Sequence, residues 1–255
     1  MQRSKNDQLD AVVLREFAAR MPFQPWSPPS ANAFALCAVA RRLENLTEQC
    51  TAEKNRLHAA QLSQAIPAAV RRDVQRSVRS LERAIQRLAR EALRILQHDP
   101  LLHSQYHLLL TIPGVGPASA IQTLAELVLL AEGLDVRQWV AYAGLDPREY
   151  QSGSSVHKKV RISKTGNRHL RRALYLPALV AVRHEPHLHA FYQHLVAQGK
   201  TKLQALVAVM RKLLHAIYGM FKHRQPYNGA KVFPLAELTA ARLANISTVE
   251  VGCSQ

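Results

Sequence analysis

Ser152 stands in the word Tyr-Gln-Ser-Gly-Ser-Ser, at the head of a long cationic run. A serine beside glycine, in a flexible turn surrounded by positive charge, has what a phosphoryl-transfer nucleophile requires. Such a serine is expected to be exposed, with a backbone that can approach DNA closely and cations that offset the charge of a developing phosphorane. Ser-Gly turns are also ordinary loops, so composition alone does not single this serine out. The charge around it is less ordinary. Between Glu149 and Glu185 there is no acidic residue, while Lys158, Lys159, Arg161, Lys164, Arg168, Arg171, Arg172 and Arg183 accumulate. A surface built only for solubility mixes both signs, and a one-signed run of this length repels itself unless a polyanion meets it. The predicted partner is nucleic acid.

Near the N-terminus, Lys5-Asn6-Asp7-Gln8-Leu9-Asp10-Ala11 places two carboxylates at i and i+3, on one face of a helix. Such a pair can contribute to a Mg²⁺ site, since Mg²⁺ takes oxygen ligands and fills its shell with water and substrate phosphate. The plainer alternative is a helix cap at Asp7 and a solvated Asp10. A third candidate is His-Leu-Leu-Leu-Thr-Ile-Pro-Gly-Val-Gly-Pro-Ala-Ser-Ala, residues 107–120, which resembles a helix-hairpin-helix element. Pro113 ends one helix, Gly114 and Gly116 permit a tight turn, and the next helix offers free N–H groups and its positive dipole end to a phosphate. A structural interhelical turn would read the same way. His184, His187, His189 and His194 cluster around Glu185-Pro186, but no H-E-x-x-H spacing links them, and they read as surface or phosphate-facing residues.

Whole-chain properties agree with a polyanionic partner. The 255 residues carry 34 Lys and Arg against 18 Asp and Glu, a formal charge of +16 that would make counterion release dominate affinity. No apolar run reaches the roughly 20 residues needed to span a bilayer, and the charged first 20 residues leave no signal-peptide core, so a cytoplasmic protein with no membrane role is expected. Cys37, Cys50 and Cys253 form no C-x-x-C pair, which argues against a disulfide framework or a zinc site.

The elements that must position these residues read as almost entirely helical. Asp7 to Arg20 forms a short amphipathic helix with Leu9, Val12, Val13, Leu14 and Phe17 available for burial, and the proline-rich segment from Met21 to Asn32 separates it from the next helix. Apolar residues then recur at Leu36, Val39, Leu43, Leu46, Cys50 and Leu57. After a break near Pro67 they recur at Val74, Val78, Leu81, Ile85, Leu88, Ala92 and Ile95. The alternating 4 and 3 spacing of the second set is a heptad seam, which predicts an antiparallel helical hairpin or coiled coil able to pair with a second chain; two ordinary bundle helices are the alternative. From Leu101 onward the pattern is helical, with no sustained period-two stretch bounded by hairpin signals. Leu203 to Phe221 is a strongly amphipathic helix.

Taken in order, these words resemble one family. The K-N-D-Q-L-D-A word, the proline-rich linker, the helical hairpin and Leu-Leu-Thr-Ile-Pro-Gly-Val-Gly-Pro are followed by Val140-Ala141-Tyr142-Ala143-Gly144-Leu145-Asp146-Pro147 and Ser152-Gly153. Ile162-Ser163-Lys164-Thr165-Gly166-Asn167 and Leu170-Arg171-Arg172-Ala173-Leu174 complete the series. The layout is similar to the insertion-sequence transposases of the one-ten type, including their eleven-eleven subgroup. The resemblance covers essentially residues 5–222, and its motifs are specific in this order rather than singly.

The resemblance implies a mainly α chain. Its parts would be the end of a RuvC-like DEDD domain at residues 1–20, a linker at 21–35 and a coiled-coil hairpin at 36–98. A transposase domain at 99–230 would hold the helix-hairpin-helix element (107–120) and the serine and basic loop (150–172), before a tail at 231–255 of no assigned role. It implies that Asp7 and Asp10 are Mg²⁺ ligands, that Ser152 forms a covalent phosphoserine link to DNA, and that Ser154 and Ser155 are the neighbouring alternatives in register. It implies DNA and an element-encoded guide RNA as partners, and a homo-oligomer. In the family the first aspartate and the glutamate of the four-carboxylate set lie upstream of the position matched by Lys5. On that reading the chain is N-terminally truncated, or a domesticated remnant, and is inactive alone. The competing function is a non-enzymatic nucleic-acid-binding protein that uses the glycine turn and the basic residues.

If the run neutralises phosphates, replacing Lys158, Lys159 and Arg161 together by alanine flattens the dependence of log affinity on log salt for DNA or RNA and leaves helicity intact. An unchanged slope in a salt titration would remove these residues from the interface.

Overall fold

A computed structural model of the chain describes residues 7–21, 28–131, 133–152 and 156–235, and for the strand residues 148–152 and 156–161 the description is of the backbone. Lys5, Pro22, Pro25, Ser154, Ser155, Cys253 and the tail from 236 lie outside the described residues. The protein is mainly α, as the periodicity predicts. Its order is α1 (Asp7–Arg20), α2 (Ala31–Leu62), α3 (Ala68–Gln97), α4 (Pro100–Leu110), α5 (Pro117–Leu127), α6 (Val136–Ala143), β1 (Pro147–Ser152), β2 (Val156–Ile162), α7 (Arg168–His184), α8 (Pro186–Ala197), α9 (Lys202–His223) and α10 (Gly229–Val232).

α1 forms where expected but contributes no buried residue; Leu14 is 68% exposed and Phe17 54%. α2 starts at Ala31, earlier than the first seam residue, because Ser30 follows the last proline and its hydroxyl accepts from the Ala33 N–H (3.1 Å). α2 and α3 pack along their length. Leu36, Leu43, Leu46 and Cys50 are buried on one side, and Val78, Ala92 and Leu96 on the other. Leu36, Cys37, Ala40, Ala92 and Leu96 run on into the main core, so the hairpin is rooted in the C-terminal body.

That body is wrapped around α9. Its Val209, Met210, Leu213, Leu214 and Ile217 are fully buried in one core with Leu170, Leu174, Ala178 and Ala181 of α7, which packs on α9 on one side and on α5, with Ala120 and Leu124, on the other. Each such leucine contributes about 1.5–3 kcal/mol relative to an exposed position. Capping residues set the boundaries. Asp99, Asp135, Asn167, Glu185 and Thr201 each accept N–H bonds in the first turn of the helix they precede.

The exception to the helical expectation is a two-stranded antiparallel hairpin, in which Ser152 pairs with Val156, Tyr150 with Lys158 and Pro147 with Ile162. The strand signal is present in hindsight. Val156, Val160 and Ile162 fall at one parity and His157, Lys159 and Arg161 at the other, with Lys158 interrupting the apolar set. A strand pair needs only one apolar face to register, and the cations hid it.

The turn between α4 and α5 also differs from expectation at one glycine. Gly114 has φ +95°, and a Cβ there would meet the Pro177 carbonyl oxygen at 2.9 Å and the Ala181 nitrogen at 3.0 Å, both backbone atoms of α7. Gly116 is extended, with φ −90° and ψ 175°, and a Cβ there would meet open space. Only the first glycine is required by the backbone. Gly114→Ala therefore costs more than about 1 kcal/mol, whereas Gly116→Ala stays within about 0.5 kcal/mol. Urea unfolding of the two variants checks this, and equal midpoints would contradict it.

Candidate nucleic-acid interface

The hairpin that carries Ser152 is held at its base by a clasp between two of the motifs. α6 ends at Gly144, in the left-handed conformation (φ 64°, ψ 33°), and the chain turns through buried Leu145 to Asp146. On the return side Ser163 donates from its hydroxyl to Asp146 Oδ1 (2.6 Å) and from its backbone N–H to the Asp146 carbonyl (2.9 Å). Lys164 N–H reaches the Gly144 carbonyl (3.3 Å), and Asn167 N–H the Tyr142 carbonyl (2.5 Å). Gly166 lies so close that a Cβ would collide with the carbonyl oxygens of Tyr142 and Ala141. The A-G-L-D-P and I-S-K-T-G-N words are thus two halves of one joint, with the strands projecting from it and Ser152 at the far end of β1.

Asn167 and Glu126 tie that joint to the rest of the molecule. Asn167 Oδ1 caps α7 by accepting from His169 and Leu170 N–H, while its Nδ2 donates to Tyr142 Oη (2.8 Å) and to Glu126 Oε2 (2.6 Å). Glu126, on α5, is 2% exposed. Arg41 of α2 grips it bidentately, Nε to Oε1 at 2.8 Å and Nη2 to Oε2 at 3.0 Å, and Cys37 Sγ lies 3.8 Å from Oε1. Burial pushes the Glu126 carboxyl up, but the hydrogen bonds from Arg41 and Asn167 and the charge of Arg41 outweigh it and hold the group below its ordinary value. Burial raises the Cys37 thiol, and the adjacent Glu126 raises it further, which leaves it inert at neutral pH.

Several residues expected at the nucleic-acid surface already have partners inside the protein. Arg171 Nη1 donates to the Ala143 carbonyl at the hairpin base (2.8 Å). Arg172 pairs with Glu44 (3.2 Å) and with Glu48 of α2, beside a His169 Nδ1 to Glu44 Oε2 bond of 2.5 Å. Lys164 and Arg168 are exposed at the start of α7. Lys158, Lys159 and Arg161 lie on β2, within ten residues of Ser152 in sequence. Pro113 and Gly114 are half-buried, while Gly116 and Pro117 are exposed at the N-terminus of α5, and the turn they form leans on α7 rather than standing free. His187 and His189 bond the backbone carbonyls of Phe233 and Val182.

Asp7 and Asp10 occupy the exposed first turn of α1. They are hard oxygen donors of the kind Mg²⁺ takes. Among the described residues, however, no group of three or more His, Cys, Asp or Glu side chains is arranged to hold a metal ion. The pair alone does not make a metal site. No helix among the described residues is long and apolar enough to cross a membrane.

Glu126 belongs to none of the motif words, and sequence reasoning misses it. It sits in Leu-Ala-Glu-Leu-Val-Leu-Leu, and a lone acid within an apolar run is itself a sign of a buried, paired charge. Arg41 gave no such signal, since it lies among other charges on α2.

Fold and site together define a mainly helical protein with a clasped strand hairpin at the α6–α7 joint and a long helical stalk, and the comparisons with known proteins place it among DNA-recombination proteins. Residues 106–193 match the model of the transposase IS116/IS110/IS902 family, and residues 1–67 match a transposase model of the DEDD type. The chain is similar to the pilin gene-inverting proteins of Moraxella bovis, 30% identical over 89% of this chain and 69% of that protein, and of Moraxella lacunata, 31% identical over the same shares. It also resembles a 43.6 kDa protein of the insertion element IS110 from Streptomyces coelicolor, 32% identical over 47% of this chain and 29% of that one. The chain belongs to the IS110 family of transposases.

The Glu126 network predicts a pH signature. A carboxyl held below its ordinary value of 4.5 contributes stability that is present above that pH and is lost as pH falls through the folded-state value. Glu126→Gln loses about 2 kcal/mol at neutral pH, a figure already discounted because Arg41 is nearly half exposed. The gap between variant and parent narrows below about pH 4.5. Denaturant unfolding at pH 7 and pH 4 checks both, and a gap independent of pH would contradict the ionised network.

Proposed function

We propose that this protein is a DNA recombinase that cuts and rejoins strands through Ser152, with an RNA transcribed from its element directing it to its sites. The observation that carries this reading is the clasp, which fixes the base of the strand pair to three helices, with Ser152 at the far end of one strand and Lys158, Lys159 and Arg161 along the other. In the reaction the Ser152 Oγ–H loses its proton, and Oγ attacks the scissile phosphorus. The P–O bond to one strand end breaks, and that end leaves as a hydroxyl. The phosphoserine ester preserves a reactive phosphoryl bond, so attack by the hydroxyl of an exchanged strand re-forms the backbone and frees the serine. The cations neutralise the pentacovalent transition state.

Inversion of a DNA segment, which the Moraxella relatives' name states for them, is the same chemistry performed on two sites of one molecule, and it is extended here to this chain. Asp7 and Asp10 are proposed as two of the carboxylates that would face Mg²⁺, whose chemistry when bound is to stabilise charge on the reacting oxygens. The exposed N–H groups of Gly116 and Ala118, on either side of Pro117, are proposed as a sequence-independent phosphate contact. The α2–α3 hairpin is proposed as a coiled-coil surface for pairing with a second copy.

The test is capture of a covalent protein–DNA adduct on labelled DNA carrying the element's junction, with the element's transcript. It is run on the chain alone and on the chain fused behind an N-terminal segment of a Moraxella relative. The adduct is expected with the fused segment, is lost in Ser152→Ala and falls strongly in Asp7→Asn or Asp10→Asn. Loss in Ser154→Ala or Ser155→Ala instead would move the nucleophile. Persistence in all three serine variants would refute the serine mechanism in favour of a binding protein.

A further inference from the structure

The second helix of the stalk carries a feature that the hairpin chemistry does not use. α3 holds eight arginines and no lysine, against Asp73, Glu82 and Glu91. Seven of the arginines, Arg72, Arg76, Arg79, Arg83, Arg87, Arg90 and Arg94, follow one another at spacings of 4, 3, 4, 4, 3 and 4. They share one face of the helix. In the heptad whose seam is Val74, Val78, Leu81, Ile85, Leu88, Ala92 and Ile95, they occupy the outermost positions, turned away from α2. All seven are exposed.

Their partners are few. Among the described residues Arg94 pairs with Glu91 (2.8 Å), and Glu82 is taken by Lys54 of α2 (2.8 Å). Arg83 and Arg90 rest one N–H on the carbonyl of the preceding turn, at 3.3 and 3.4 Å, which leaves the other donors of each guanidinium to solvent. A face kept only for solubility would alternate signs and draw on lysine, whose compact ammonium hydrates more strongly; arginine's planar fork matches phosphate oxygens. The neighbouring helix α2 shows the ordinary pattern, mixing Arg42, Lys54 and Arg56 with Glu44, Glu48 and Glu53.

We infer that the outer face of α3 is a second nucleic-acid surface, a straight arginine rail about 33 Å long at 1.5 Å per residue, that holds the phosphate backbone of duplex DNA. The inference rests on the recombinase reading for the presence of DNA, but its site is independent of Ser152 and the hairpin. A rigid row of charges matches a rigid polyanion. Duplex DNA is nearly straight over this distance, with a persistence length of about 50 nm, whereas a flexible single strand would have to be ordered along the rail. Contacts of this kind carry no sequence information and fix register and orientation. A rail on the stalk would therefore hold DNA next to the site that the hairpin cuts.

The experiment is fluorescence anisotropy of a labelled DNA duplex of about 30 base pairs across a salt series, using the full chain. In one variant Arg76, Arg79, Arg83 and Arg87 become glutamine, in a second they become lysine, and a third is the Lys158, Lys159 and Arg161 alanine variant. Each phosphate contact contributes about 0.9 to the slope of log affinity against log salt, so the glutamine variant is expected to be shallower by about two to four, with unchanged helicity. The lysine variant should keep most of the slope, and the hairpin variant should lose its own share in addition. Parent binding with an unchanged slope in the glutamine variant would overturn the rail and leave the recombinase reading standing. Loss confined to structured RNA, with duplex DNA unaffected, would also overturn it. No duplex binding by the parent would sink both.

Discussion

One buried carboxylate organises this molecule. Glu126 would be expensive to bury alone, and it is tolerated because Arg41 and Asn167 fill both of its oxygens with charge-assisted or amide donors. Those donors come from elements far apart in the chain. Arg41 belongs to the base of the stalk, Asn167 to the cap of α7, and Tyr142, bonded to the same amide, to α6. A hydrophobic contact would bind these elements as well, but without direction. The bidentate geometry fixes how the stalk meets the body.

From that junction two cationic surfaces extend. The clasp of Ser163 on Asp146 and Gly166 on the α6 carbonyls carries the cationic strands and Ser152 outward, while α2 and α3 carry the arginine face of α3. Arg171 and Arg172 sit between them and serve the joint itself, bound to the Ala143 carbonyl and to the glutamates of α2. Cations that look alike in sequence thus divide into those that build the joint and those, such as Lys164, Arg168 and the outer arginines of α3, that stay exposed. Burial and partners decide which is which, not charge density.

The stalk was legible because its seam residues repeat at helical spacing and Pro67 marks the break between its two helices, while its start at the Ser30 cap lies ahead of the first seam residue. The amphipathic α9 was legible for the same reason. The hairpin was not, since Lys158 interrupts the apolar parity of Val156, Val160 and Ile162 in a strand too short to show a second repeat. Gly116 looked as constrained as Gly114 because a sequence shows a glycine but not its φ, nor the α7 backbone that packs against one of them. The motif words quoted from the family were visible, yet their physical role was hidden. Nothing in Ile-Ser-Lys-Thr-Gly-Asn says that its serine and asparagine bond residues some twenty positions upstream and a carboxylate forty-one positions away.

The claim that Glu126 joins stalk, clasp and body into one unit is tested most directly by amide hydrogen exchange on the parent and Glu126→Gln under native conditions. The account predicts that the amides of Ser163, Lys164 and Asn167, which are bonded to Asp146, Gly144 and Tyr142, lose protection together with those of the first turns of α2, while the centre of α9 stays protected. Faster exchange confined to α5, with the clasp and the stalk base unchanged, would contradict it.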